Sequence, residues 1–226
     1  MSINLLAICV GNTRTRIGAF RDGNLVDKRE FANSKVDLLV EEAKQAYGAV
    51  KDKQDVTMLM STVNPPISDP LRKALQEQLQ CPVHRVEEDV PIPIGRQLDR
   101  EALVGEDRLL NAAAAFDVLK QACVIVDAGT AITVDFIDGA GTFHGGAIAP
   151  GAQMMLDALH NRTAQLPEVE FERPNESIGH NTVEAMRAGV FYGMRGLVRE
   201  LVERYADVLG TFPIVIATGG NAELLF

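Results

Sequence analysis

Tryptophan is absent from the 226 residues, and aromatics are thin, with three Tyr and nine Phe. Any core must therefore be built from aliphatic side chains, which the 46% hydrophobic content allows. Cysteine is scarce as well. Cys9, Cys81 and Cys123 are an odd number at spacings that match neither a zinc site nor a disulfide framework. The four histidines, His84, His144, His160 and His180, show no paired ligand spacing, so no transition metal is expected. Positive charge is in deficit, 22 Lys and Arg against 31 Asp and Glu for a net charge of −9, with no basic cluster. That balance argues against a nucleic-acid partner. No apolar run approaches the ~18 residues of a membrane span. The N-terminus enters a predicted strand directly, without a charged region or cleavage pattern. A cytoplasmic location is expected.

The stretch from Val124 to Asp135 is the most informative. Val124-Ile125-Val126 reads as a buried strand ending on the carboxylate of Asp127. Gly129 then allows a turn whose backbone can approach a ligand closely, and β-branched residues resume as a second strand. Such a turn suits phosphate: its amides can face an anion, the Thr130 hydroxyl can donate, and Asp127 can hold an accompanying cation.

The same design occurs earlier. Leu5 to Phe20 contains a strand ending at Cys9, a turn at Gly11, the hydroxyls of Thr13 and Thr15, and a second strand. Laying Gly11 on Gly129 puts Cys9 on Asp127, a separation of 118 residues for both pairs. Each copy continues to a hairpin, at Arg21-Asp22-Gly23-Asn24 and at Asp138-Gly139-Ala140-Gly141, followed by a third strand. Two related halves facing one another across a nucleotide cleft are expected.

Between these landmarks strands alternate with helices. The first three strands are expected at about 4–10, 14–20 and 24–31. Val36, Leu39, Val40, Ala43 and Tyr47 mark one helical face. Val56 to Met60 reads as a buried strand, with a helix over about 67–79 after the Asn64-Pro65-Pro66 loop. Val83 to Val86 is a short strand, and residues 91–95 an extended connector. Val104 to Ala115 is an acidic turn running into a helix. Asp107 there suits capping and the helix dipole alone, but Arg108 beside it and Gly105 ahead allow a second role, positioning a hydroxyl-bearing substrate. Gly145 to Gly151 is expected as a glycine-rich strand-to-helix junction, followed by Met154, Met155, Ala158 and Leu159 as core positions. A long helix starts near Val183 with Asn181 or Thr182 as its cap, and its apolar face carries Leu197, Val198, Leu201, Val202 and Tyr205. The last strand is Ile214 to Ala217.

Six motifs in order, Val10-Gly11-Asn12-Thr13, Gly105-Glu106-Asp107-Arg108, Asp127-Ala128-Gly129-Thr130-Ala131, Gly145 to Gly151, Ile178 to Thr182 and Ala217-Thr218-Gly219-Gly220, resemble type III pantothenate kinase across nearly the whole chain. The resemblance implies an α/β fold of two tandem RNase H-like (actin-like ATPase) domains with mixed sheets, 1–117 and 118–226. It implies phosphorylation of pantothenate by ATP, the first step of coenzyme A synthesis. Asp107 would be the general base. Gly105, Glu106, Asp107, Arg108 and Thr182 would bind substrate, Thr182 reaching the partner subunit's site in a homodimer. Cys9, Val10, Gly11, Asn12, Thr13, Arg14, Thr15, Arg16 and Thr130 would line ATP, which arrives with Mg²⁺. Asp127 would ligate a monovalent cation, K⁺ or NH₄⁺.

Two positions differ from the family pattern. Cys9 stands where its first phosphate motif begins with Asp, and a thiol is a poor ligand for Mg²⁺. Leu98 stands where the family usually carries a Tyr that helps bind substrate, and Asp99-Arg100-Glu101 beside it is also off pattern. The alternatives they leave open are a kinase of the same fold for another small hydroxyl compound, and a non-catalytic nucleotide-binding regulator. The chain ends soon after Gly220, short of the family's usual end, and a final helix of that pattern is expected to lie outside it.

Overall fold

The computed structural model describes residues 3–33, 36–52 and 55–226. The chain divides into two compact units, Met1–Pro93 with Leu103–Leu110, and Ile94–Ala102 with Asn111–Phe226. Each is built on a five-stranded mixed sheet.

In the first unit, strands β1 (Asn4–Val10), β2 (Arg14–Arg21) and β3 (Asn24–Ala32) form an antiparallel meander. Helix α1 (Val36–Gly48), strand β4 (Val56–Thr62), helix α2 (Pro65–Leu79) and strand β5 (Val83–Arg85) follow. The strand order is β3-β2-β1-β4-β5, with β4 parallel to both its neighbours. Alternation along β1 puts Leu6, Ile8 and Val10 into a core shared with Ile17, Met58, Met60, and Leu39, Ala43, Leu71 and Leu75 from the helices. This is the period-2 pattern expected of a strand with one face buried. Of the predicted α1 face, the side chain of Val36 lies outside the described residues. Helix α2 begins two residues earlier than expected, at Pro65. Proline is tolerated in a first helical turn, where its missing N–H would have had no intrahelical partner.

The second unit has strands β6 (Gly95–Arg96), β7 (Cys123–Ala128), β8 (Ala131–Ile137), β9 (Thr142–Pro150) and β10 (Ile214–Thr218), ordered β10-β7-β8-β9-β6. The helices are α3 (Glu106–Leu119), which starts in the first unit and ends in the second, α4 (Ala152–Asn161), α5 (Thr182–Leu209) and α6 (Ala222–Leu225). Strands β9-β8-β7-β10 repeat the order and directions of β3-β2-β1-β4. The internal repeat read from residue types is thus a repeat of topology. It is also one of local detail, since the Gly11 amide bonds the Arg14 carbonyl at 3.0 Å and the Gly129 amide bonds the Ala131 carbonyl at 3.0 Å. The first turn is longer by one residue. Val124, Val126, Ile132 and Val134 form the core of this unit with Leu156 of α4 and Met186, Phe191 and Met194 of α5. Among the described residues, no helix is long and apolar enough to cross a membrane.

Two local expectations are corrected. Gly145 and Gly146 are inside β9, and only Gly151 caps the following helix. The pairing register shifts between Asp135 and Ile137, and a Cβ on Gly146 would lie 2.0 Å from the Val134 carbonyl oxygen. Glycine is there because two backbones meet at a bulge. On α4 the buried row is Ala152 and Leu156, with Met155 and Leu159 partly covered, whereas Met154 and Ala158 face outward. The apolar stripe is displaced by one helical position from the one expected.

Candidate active site

The first unit gathers the 9–16 segment and the start of α3. Cys9 is exposed near the end of β1, opposite Arg16 on β2 and Ser61 on β4. Val10 is buried, and its carbonyl accepts the Val63 amide at 3.0 Å. The turn beyond it is held by side-chain amides. Asn33 Nδ2 donates to the Gly11 and Asn12 carbonyls at 2.7 and 3.0 Å, and Asn64 Nδ2 donates to the Asn12 carbonyl at 3.3 Å. The Asn33 amide itself bonds the Thr13 carbonyl at 2.9 Å. Carbonyls so engaged keep the turn in one shape, a requirement for any loop whose amides are to face phosphate.

The strand alternation of β2 separates the residues that follow. Thr15 is fully buried and donates to Asn33 Oδ1 at 2.8 Å, so its hydroxyl shapes the turn from beneath. Arg14 and Arg16 are on the exposed face, and both guanidiniums bond Glu30 of β3, at 2.5 and 2.8 Å. The paired arginines hold the Glu30 carboxyl below the usual carboxylate range.

At the start of α3, Gly105 accepts the Arg108 amide at 3.2 Å in the N-cap position. Asp107 is exposed, and its Oδ1 also accepts the Arg108 amide at 2.8 Å, so that this amide of the helix start is shared between two acceptors. A Cβ on Gly105 would lie 2.5 Å from that same oxygen. The glycine leaves the room in which the Asp107 carboxylate lies. Glu106 points elsewhere: it is half-buried, and its Oε2 accepts the Thr62 amide at 2.9 Å. Burial raises its pKa above the ordinary value, against the opposing effects of the Thr62 amide and Arg85.

In the second unit Asp127 ends the buried run of β7. Its Oδ2 accepts from Asn111 Nδ2 at 3.0 Å. Its Oδ1 is flanked by glycine, since a Cβ on Gly219 would lie 2.5 Å away and one on Gly129 3.5 Å away. Gly219 has φ +95°, and Gly151 packs so closely that its Cβ would lie 2.3 Å from the Thr130 carbonyl oxygen. The 127–131 turn is therefore boxed in by backbone, with Thr130 exposed on it. Thr182 opens α5 in an exposed position. There the Glu184 amide donates to Oδ1 of the N-cap Asn181 at 2.9 Å, and Glu184 Oε2 accepts the amide of His180, one residue before the cap, at 2.8 Å. Leu98 is half-buried, 3.4 Å from where a Cβ on Gly145 would be.

Among the described residues, no three His, Cys, Asp or Glu side chains are grouped as a metal cluster. A single carboxylate backed by an amide and glycine backbone fits one weakly held cation better than an all-protein divalent cage. The Cys9 thiol is a soft donor and does not fit Mg²⁺. Asn33, Asn64, Thr62 and Asn111 were not legible as site residues. Their type at those positions carries no spacing signal.

The fold is that of actin-like ATPases and sugar kinases. It is similar to a 2-dehydro-3-deoxygalactonokinase protein of Sinorhizobium meliloti (TM-score 0.52, 11% identity, 97% of this chain and 95% of that one). It is also similar to MreB5 of Spiroplasma citri bound to ADP (TM-score 0.52, 12% identity, 97% and 85%). A Baf-family protein of Campylobacter jejuni matches with a TM-score of 0.60 at 20% identity over 97% of this chain and 85% of that one. Sequence narrows the class. A profile of type III pantothenate kinases matches residues 5–204, and the chain belongs to that family. A type III pantothenate kinase of Dehalococcoides mccartyi is 34% identical over 230 residues, covering 100% of this chain and 89% of that protein. One of Desulforapulum autotrophicum is 38% identical over 234 residues, covering 98% and 87%.

Proposed function

We propose that this protein transfers the γ-phosphoryl group of ATP to the hydroxyl of pantothenate, giving 4′-phosphopantothenate, the first step of coenzyme A synthesis. Membership of the family supports the reaction. The observation that carries the site is the exposed Asp107 carboxylate held at the first turn of α3. Asp107 accepts the hydroxyl proton as the new O–P bond forms and the bond from the γ-phosphorus to its bridging oxygen breaks, with ADP leaving. Gly105 and Arg108 bind the acceptor. The turn at Gly11 to Thr13 and the Thr130 hydroxyl line the triphosphate. Glu106 is read as a substrate contact by the resemblance alone; its bond to Thr62 favours another role.

Mg²⁺ bound with ATP and a monovalent cation, K⁺ or NH₄⁺, would supply charge neutralisation on the phosphates. Asp127 would hold the monovalent ion, with Asn111 orienting its carboxylate. The repeated strand order supports two related RNase H-like halves, 1–117 and 118–226. The working form is a cytoplasmic homodimer in which Thr182 completes the partner's site.

The test is ATP-dependent phosphorylation of pantothenate with magnesium in potassium, ammonium and sodium buffers. Turnover requiring potassium or ammonium supports both the reaction and the role of Asp127. No turnover with ATP still bound favours a different acceptor, the reading to which Leu98 beside Gly145 gives weight, and a panel of small hydroxyl compounds then decides. Absence of turnover on the whole panel leaves the regulator.

A further inference from the structure

Four residues of the first unit, Thr62, Asn64, Asn33 and Thr15, stand in one line of hydrogen bonds that ends on Glu106. Glu106 Oε2 accepts the Thr62 amide at 2.9 Å, reaching across 44 positions of chain. Thr62 is the last residue of β4 and pairs with Val10, the last residue of β1. Its own Oγ1 accepts the Asn64 amide at 2.9 Å. Asn64 Nδ2 then donates to the Asn12 carbonyl, which also receives Asn33 Nδ2, and Thr15 Oγ1 closes the line on Asn33 Oδ1. In parallel, the Val63 amide bonds the Val10 carbonyl at 3.0 Å. One end of the line is the residue beside Asp107, and the other is the turn that lines phosphate in the kinase reading.

We propose that Glu106 is a positioning residue, which holds the Asp107-bearing turn of α3 in register with the 10–13 loop through Thr62 and Asn64. The proposal rests on the kinase reading above and deepens it. Desolvating a carboxylate disfavours its charged form, and the bond accepted from the Thr62 amide offsets part of that cost for Glu106. A strand end and a helix start joined by one backbone amide move together. In a phosphoryl transfer, where catalysis is mostly placement, a shift of the base relative to the phosphates on the order of 1 Å costs up to ~10²-fold.

The experiment compares Glu106→Ala, Glu106→Gln and Asn64→Ala in the full chain. Gln keeps the carbonyl oxygen that accepts the Thr62 amide and removes only the charge. Glu106→Ala is expected to lower kcat by roughly 10- to 100-fold with the pantothenate KM little changed. Glu106→Gln is expected within about threefold of wild type, and Glu106→Ala/Asn64→Ala is expected to be no worse than the more damaging single variant, because both cut one line. Hydrogen exchange at the Thr62 amide is read in the same variants. It is expected to quicken in Glu106→Ala and stay slow in Glu106→Gln. That readout needs no turnover, so absence of pantothenate phosphorylation by the wild type counts against the kinase reading while exchange still decides this one. Equal loss in Ala and Gln with a raised pantothenate KM would make Glu106 a substrate contact. That result, strict additivity, or unchanged exchange at Thr62 in Glu106→Ala would overturn the proposal.

Discussion

Gly219 combines a positive φ with a close approach to Asp127, and Gly219→Ala measures how tightly the Asp127 turn is enclosed. Two costs add. The backbone at φ +95° is one that side-chain-bearing residues rarely adopt, worth about 1–3 kcal/mol. The new Cβ would lie 2.5 Å from Asp127 Oδ1 and 2.6 and 2.7 Å from the Ala128 carbonyl carbon and amide nitrogen, so backbone must move, at a further cost of about 1–3 kcal/mol. The expected total of about 2–6 kcal/mol lowers the melting temperature by roughly 4–24 °C for a chain of this size. The neighbour supplies the control. A Cβ on Gly220 meets nothing within 4 Å, so Gly220→Ala should stay within about 0.5 kcal/mol of wild type. Thermal melts followed by circular dichroism, with ATP binding by calorimetry, check both. Equal stability of the two variants would refute the enclosed turn, and with it the account of how Asp127 Oδ1 is held.

Other substitutions probe the first unit. Asp107→Asn should lose on the order of 10²-fold or more in turnover with ATP binding retained, the scale of general-base catalysis, and near-normal steady-state rates would remove Asp107 from that role. Gly105→Ala forces the Asp107 carboxylate to rotate, so a fall in kcat of about tenfold is expected without a change in melting temperature; an unaltered rate would show that the carboxylate need not lie where it does. Cys9→Asp puts a hard ligand beside the phosphate turn, and the magnesium concentration needed for half-maximal rate should fall; a higher requirement would mean that the site has adapted around the thiol. For Glu106, a raised folded-state pKa means that the native state binds more protons than the unfolded one above pH 4.5, so this group's contribution to stability declines as pH rises from there through the folded value. Glu106→Gln should remove that decline, leaving the variant relatively more stable at neutral pH than at pH 4.5. Denaturant unfolding across that range is the check, and an identical pH profile in the two proteins would contradict the burial argument.

The sequence by itself determined the strand-turn-strand repeat, because buried strands and the glycine between them are local and obey a period of two. It placed β1, β2, β7 and β8, the overlay of Gly11 on Gly129, and the motifs that mark the family. What only the tertiary structure decided are the contacts between segments far apart in sequence. Gly146 was read as part of a junction because a glycine-rich run looks alike in a loop and in a bulged strand; the approach of the Val134 carbonyl tells them apart. The outward turn of Met154 was hidden because apolar spacing on a short helix fixes its period better than its phase. Thr15 and Glu106 were both read as ligand-facing from their place in a motif. One is turned under the sheet by strand alternation, and the other is drawn to a backbone amide 44 residues away, a partner that no local pattern announces. Residue types report what a position can do chemically, and the fold decides which neighbour it does it with.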